Sequence, residues 1–241
     1  MADTITNLSH WFPLIEAAGL PVPKTKIIQA DEKVTADLWE AFDGKPGELP
    51  AFSAFIEKMR VESEAFEAPF FLRTGFFSGK HRFEECCLVT DRSKLGQHIY
   101  NIAEFSEICG MFGELPFDTW VLREYLPVTP VGYCPEYGNM PVVKEFRVFV
   151  NGDQPICIHP YWPLKALQQG GATGIDFEAL CNTFGQTPEL LQLACAAGKT
   201  VGGKWSVDIL QTKRGWYITD MAEAQKSFHW EGCPYEPDCH P

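Results

Sequence analysis

The sequence predicts an α+β chain whose C-terminal half is mainly antiparallel sheet. Two observations carry that expectation. Apolar residues recur at helical spacing along 7–19, 31–46 and 51–66. From about residue 120 onward, apolar segments of strand length are joined by tight turns at Asn151-Gly152 and Arg214-Gly215.

In chain order, 7–19 reads as a short amphipathic helix stopped by Gly19. The stretch LPVPKTKIIQ reads as a proline-rich loop entering a strand. A helix over 31–46 is stopped by Asp43-Gly44, and the loop GKPGELP leads to a helix over 51–66. PFFLRTG reads as an aromatic strand running into a loop with Gly75 and Gly79, and EECCLVT (84–90) as a further apolar strand. A helix over 93–110 follows. The segments 120–128, 145–161, 205–212 and 215–222 read as strands, with helix over 176–202 between them. No internal repeat or low-complexity segment interrupts the pattern.

The chain has 241 residues, 45% of them hydrophobic, enough for one large core or two lobes. Its 18 Phe, 7 Trp and 7 Tyr argue against disorder. Twenty Lys and Arg against 32 Asp and Glu give a net charge of -12, a poor surface for nucleic acid. No apolar run approaches the ~20 residues of a membrane span. MADTITNLSHWF has neither the basic nor the apolar region of a secretory signal, so a cytoplasmic location is expected. Nine cysteines without a CxxC pair fit reduced, mostly buried thiols. Cys233, Cys239 and His240 come nearest to a ligand cluster, at spacings looser than zinc sites usually show.

Four segments could carry chemistry. In Arg73-Thr-Gly-Phe-Phe-Ser-Gly-Lys80 a strand delivers Arg73, two glycines allow close backbone approach to an anion, and Lys80 adds charge. It is not a Walker A loop, and alone it reads equally as a polar hairpin. In Val121-Leu-Arg-Glu-Tyr-Leu126 a strand ends at Glu124 and Pro127 follows, either an ordinary strand or a hinge offering groups to a nucleobase. In Lys144-Glu-Phe-Arg-Val-Phe-Val150, Phe146, Val148 and Val150 share one strand face and Glu145, Arg147 and Phe149 the other. Glu145 and Arg147 can pair together or orient a guanidinium toward phosphate. Finally, Asp208 and Asp220 lie inside apolar strands joined by a Lys-Arg-Gly turn, with Glu223 three residues on. Such acids are costly to bury unless paired or bound to a hard cation such as Mg²⁺.

Taken together and in this order, FLRTGFFSGK, VLREYLPV, EFRVFVNG and SVDILQTKRGWYITDMAE resemble the ATP-grasp superfamily over roughly residues 65–230, and GLPVPKT resembles its N-terminal entry. The chain is similar to a phage and bacterial clade with an Arg-to-Lys phosphate loop, and to the cell-division-cycle assembly chaperones of a eukaryotic initiation factor. The resemblance implies an ATP-grasp fold of two lobes with ATP in the cleft between them. The expected division is 1–66 as an N-terminal α/β lobe, 67–126 as a small subdomain with phosphate loop and hinge, and 127–241 as a large subdomain with a Mg-binding hairpin. It implies that Arg73 and Lys80 hold ATP phosphates and that Glu124, Tyr125 and Leu126 line the adenine pocket. Arg147, oriented by Glu145, would stabilise phosphate charge, with Arg147 and Lys80 as the catalytic pair. Asp208 and Asp220 would hold Mg²⁺. Two residues after Asp220, where many members carry Asn or Glu, stands Ala222, so Glu223 is the candidate to complete the metal site.

Two functions follow from the resemblance. One is an ATP- and Mg²⁺-dependent ligase joining a carboxylate to an amine through an acyl phosphate, acting on small-molecule or peptide substrates. The absence of a Ser/His/Asp or Cys/His motif agrees with it, because that chemistry needs no protein nucleophile. The other is an ATP-binding assembly chaperone or interaction module acting on a partner protein.

Overall fold

The computed structural model describes residues 4–44, 47–110, 116–172, 174–177, 180 and 188–239. In chain order the principal elements are α1 (Leu8–Ala17), β1 (Thr25–Gln29), α2 (Glu32–Phe42), α3 (Pro50–Ser63), β2 (Phe70–Thr74), α4 (Phe83–Cys86), β3 (Leu88–Val89), α5 (Leu95–Gly110), β4 (Thr119–Glu124), β5 (Gly132–Cys134), β6 (Met140–Val142), β7 (Glu145–Asn151), β8 (Gln154–Pro160), α6 (Leu164–Gln169), α7 (Pro188–Val201), β9 (Lys204–Thr212) and β10 (Gly215–Glu223). Two of the helices begin at a side-chain cap. The Asn7 side chain accepts from Ser9 N–H at the start of α1, and Asp31 accepts from Lys33 and Val34 N–H at the start of α2. Gly19 and Gly44, both at positive φ, follow their ends. Of the helix expected over 176–202, α7 is observed, and residues 178–179 and 181–187 lie outside the described residues.

The described chain forms two compact units. The first comprises 24–125 with 137–140. Its sheet has strand order β1-β4-β2-β3, with every pair antiparallel. Helices α2, α3 and α5 cover one face, and Ile28, Leu38, Met59, Phe70, Leu72, Trp120 and Leu122 belong to the resulting core. The segment expected as a strand over 84–90 is instead the helical turn α4 followed by the two-residue β3. The Cys87 amide and thiol both reach back to the Phe83 carbonyl, 3.0 and 3.4 Å away, which closes a helical turn before the strand can start.

The second unit comprises 3–23, 126–136 and 141–241. Its main sheet has order β10-β9-β7-β8, again antiparallel throughout, and β5 pairs with β6 beside it in sequence. One face of the main sheet, with Phe146, Val148, Val207, Ile209 and Met221, is buried. Helix α7 packs on that sheet and α1 packs on α7. The approach is close at Gly198, where an added Cβ would stand 2.3 Å from the Gly152 carbonyl oxygen. Among the described residues, no helix is long and apolar enough to cross a membrane.

Candidate functional site

The register of the second sheet places Asp220 opposite Asp208, Asp208 opposite Arg147, and Arg147 opposite His159. Directly opposed residues point to the same side of a sheet. One row therefore runs across four strands on the face turned away from the apolar core. The row exists because β10 is irregular. In a regular strand Ile218 and Asp220 would share a face. A register shift between them leaves Thr219 as the extra residue, so Ile218 pairs with Ile209 on the core side while Asp220 swings into line with Asp208. The Thr219 hydroxyl lies 3.1 Å from Glu145 Oε1 and 3.2 Å from the Asp208 carbonyl, tying the bulge to the adjacent β9 and, beyond it, to β7.

Arg147 is the most constrained member. Its Nε and Nη2 donate to the two oxygens of Asp208, both at 2.8 Å. Its Nη1 donates to the Phe228 carbonyl at 3.3 Å, and its guanidinium lies over the Tyr161 ring at 4.9 Å. Burial opposes the Arg147 charge, but the Asp208 carboxylate more than offsets this and holds the guanidinium above its ordinary pKa. Burial also pushes Asp208 up; Arg147 pulls it down, and Asp220 and Glu145 push it up again. The result is a buried ion pair with two further carboxylates close by. Three acids around one guanidinium leave an excess of negative charge on oxygen donors, which fits a hard divalent cation.

Of the expected residues, Glu145, Arg147, Asp208 and Asp220 are thus brought together. Asp208 supplies the bidentate contact that orients Arg147, a role expected of Glu145. Glu223 stands apart from the row. Strand alternation pairs it with Trp205, on the side of Val207 rather than of Asp208, and its carboxylate meets the Thr6 hydroxyl at 3.2 Å and Lys226 Nζ at 2.6 Å. The bulge that turns Asp220 into the row comes before Glu223 and leaves it in the opposite phase.

In the first unit, Arg73 is 3% exposed near the end of β2, and its Nε donates to the Thr74 carbonyl at 3.0 Å. Gly79, at φ +65°, turns the chain so that Lys80 opens a short 3₁₀ turn; an added Cβ there would meet Cys86 at 3.0 Å. Burial pushes the Cys87 thiol well up, and the charges of Lys80 and Arg73 draw it partly back down. The loop departs from expectation in its amides. Gly75 N–H donates to the Thr119 carbonyl and Phe77 N–H to the Thr74 hydroxyl, each within 2.9 Å, so these two groups serve the loop's own geometry. At the end of β4, Glu124 Oε1 accepts from Lys24 N–H at 2.9 Å, and the Tyr125 ring lies 6.5 Å from that of Phe83. Leu126, 4% exposed, is the first residue of the second unit's middle segment.

Sequence reasoning missed Thr219, Tyr161 and the Phe228 carbonyl, none of which carries a motif. It also missed a cluster in which Cys157, His159, His229 and Cys233 bring one ligand atom each within 4.8 Å of the others. The signals were a Cys-x-His inside a strand and a His-x₃-Cys in the tail. His240, grouped with Cys233 on sequence, lies outside the described residues.

No family model matches the chain, and no curated protein matches it. Solved structures do. C-terminally truncated Cdc123 from Schizosaccharomyces pombe superposes with a TM-score of 0.55 at 14% identity, covering 90% of this chain and 82% of that one. Cdc123 from the same organism gives 0.54 at 14% identity, with 94% and 88% covered. The ATP-grasp ligase PsnB, complexed with precursor peptide PsnA2 and AMPPNP, gives 0.49 at 14% identity, with 98% and 56% covered. At such identity the likeness is one of fold. The chain has a mixed helical and antiparallel architecture, similar in fold to the two Cdc123 structures.

Proposed function

We propose that the protein binds ATP with Mg²⁺ and uses it to join a carboxylate to an amine. The observation that carries the reading is the Asp220–Asp208–Arg147 row, which sets hard oxygen donors beside a fixed guanidinium. Asp208 and Asp220 would hold the metal. Arg147, already locked by Asp208 and Tyr161, would meet phosphate oxygen without reorganising, which is how electrostatic stabilisation is made strong. Arg73 and Lys80 are the further phosphate contacts in this proposal, and Glu124, Tyr125 and Leu126 the contacts to the base. Bound MgATP supplies the phosphoryl group that activates the acid; the chain supplies positioning and charge. Kinship with a phage and bacterial clade belongs to the same proposal.

One observation favours a second reading. Two Cdc123 structures superpose on the chain with TM-scores of 0.55 and 0.54. On that reading the same row binds MgATP, and the outcome is engagement of a partner protein.

Phosphate release separates them. The purified protein is incubated with MgATP, alone and with pools of carboxylates and amines, small and peptidic. A ligase releases phosphate only when both co-substrates are present, and a new amide appears by mass spectrometry. MgATP binding without turnover under any pool removes the ligase reading and leaves the second.

A further inference from the structure

We propose that Cys157, His159, His229 and Cys233 form a structural zinc site that fastens the C-terminal segment to β8. Cys157 and His159 are two apart on one strand, so both side chains project from the same face, opposite Phe149 and Arg147 of β7. His229 and Cys233 come from the chain after β10 and meet them there. All four ligand atoms lie within 4.8 Å of one another, and Cys157 Sγ is 3.1 Å from His229 Nε2. A tetrahedral zinc with two sulfur and two nitrogen ligands spaces its donors by roughly 3.3–3.8 Å, so a small contraction completes the geometry.

The surroundings fit a metal better than a hydrogen-bonded cluster. His229 Nδ1 lies 3.3 Å from the Trp230 carbonyl. A proton on Nδ1 leaves Nε2, the atom facing Cys157, as a lone-pair donor, the usual outer-shell arrangement of a metal-bound histidine. His159 Nε2 is buried, and among the described residues it has no hydrogen-bond partner. A buried ring nitrogen left unmatched costs free energy unless something satisfies it. The ring stacks on Trp230 at 5.5 Å, and Trp230 stacks on Phe177 at 6.0 Å, so the cluster has an aromatic wall.

Ligand type selects the ion. Two thiols and two imidazoles suit zinc rather than calcium or magnesium, and four protein ligands leave no open position for chemistry. On binding, Cys157 and Cys233 each lose a proton to solvent, and two thiolates balance the charge of Zn²⁺. A neutral centre is tolerated in a half-buried position where free thiolates are not. Cys239 packs in the same small apolar cluster as Cys157 but lies outside the four-ligand set. The site has a structural consequence. The Phe228 carbonyl that accepts from Arg147 directly precedes the ligand His229, so the metal would hold that carbonyl in place. The inference does not rest on the nucleotide reading.

Metal content is the test. The untagged full chain, expressed with added zinc and passed through gel filtration, should carry about one zinc per chain by elemental analysis. Cobalt substitution should give a thiolate-to-metal charge-transfer band and the intense visible bands of a tetrahedral ion. C157S and C233S should lose both signals, while C195S and C239S keep them. Chelation should expose 154–160 and 228–239 to hydrogen exchange and leave 70–74 unchanged. Wild-type protein that holds no zinc and gives no charge-transfer band overturns the proposal, even if the serine variants fail to fold. So does zinc retained in full by C157S and C233S, or an intact mass showing Cys157 and Cys233 joined as a disulfide in protein purified under reducing conditions.

Discussion

The first sheet turns Arg73 and Arg123 away from its core, each almost fully buried and each within an apolar strand. The second sheet turns Glu145, Asp208 and Asp220 away from its core, around the single guanidinium of Arg147. The two sheets have the same strand count and the same antiparallel pairing, yet their non-core faces carry opposite charge. Neither face is explained by packing, because apolar side chains would bury at less cost.

The largest expected effect breaks the second face from within. Asp208→Asn leaves Arg147 buried without its bidentate partner, and should destabilise the second unit by about 3–5 kcal/mol. Thermal or urea unfolding checks it. A variant as stable as the wild type would mean that Arg147 is not held by this carboxylate. Asp220→Asn is the more selective probe. Asp220 is less buried and gives the row charge rather than the bidentate contact, so its loss should leave the melting temperature nearly unchanged and weaken MgATP binding at least tenfold, about 1.4 kcal/mol. Titration calorimetry reads the difference.

In the first unit, Lys80→Ala should weaken ATP binding both with and without Mg²⁺, because a cation meets phosphate rather than metal. Hydrogen exchange should show residues 74–82 protected by ATP in the wild type. Protection confined to other segments would remove this loop from the site. Glu223→Gln sharpens the comparison from the other side. Paired with Thr6 and the exposed Lys226, and out of phase with Asp220, it should change stability by less than about 1 kcal/mol and MgATP affinity hardly at all.

Much of this was legible in the sequence because it follows from alternation. Phe146, Val148 and Val150 read as one face and Glu145 and Arg147 as the other, and strand pairing preserves that split. Helix starts at Asn7 and Asp31 were equally plain. The bulge was not, since nothing about Ile218-Thr219-Asp220 announces an extra residue; in a regular strand Asp220 would face the core with Ile218. The Cys86-Cys87 segment read as a strand because two small apolar residues precede Leu88 and Val89, and periodicity cannot separate a single helical turn from a short strand. The Cys/His cluster joins residues about 70 positions apart, and no local spacing rule reaches that far.

The smallest expected effect lies in that same segment. Burial pushes the Cys86 thiol up to about 12, from an ordinary value of 9.0. The folded form therefore keeps its proton when the unfolded chain has already lost it. The contribution to stability is complete below pH 9 and declines as pH rises from 9 toward 12. Iodoacetamide at pH 9 should leave Cys86 unmodified in folded protein and alkylate it in denaturant, as peptide mass spectrometry would show.

The central claim is that the acidic row binds nucleotide through a metal. Calorimetric titration of ATP into wild type and Asp220→Asn, each with Mg²⁺ and with EDTA, addresses it most directly. The account predicts wild-type affinity that falls at least tenfold when Mg²⁺ is removed, and an Asp220→Asn protein that is folded but gains little from Mg²⁺. Equal affinity for ATP with and without Mg²⁺, or a folded Asp220→Asn protein with the full Mg²⁺ response, would contradict it.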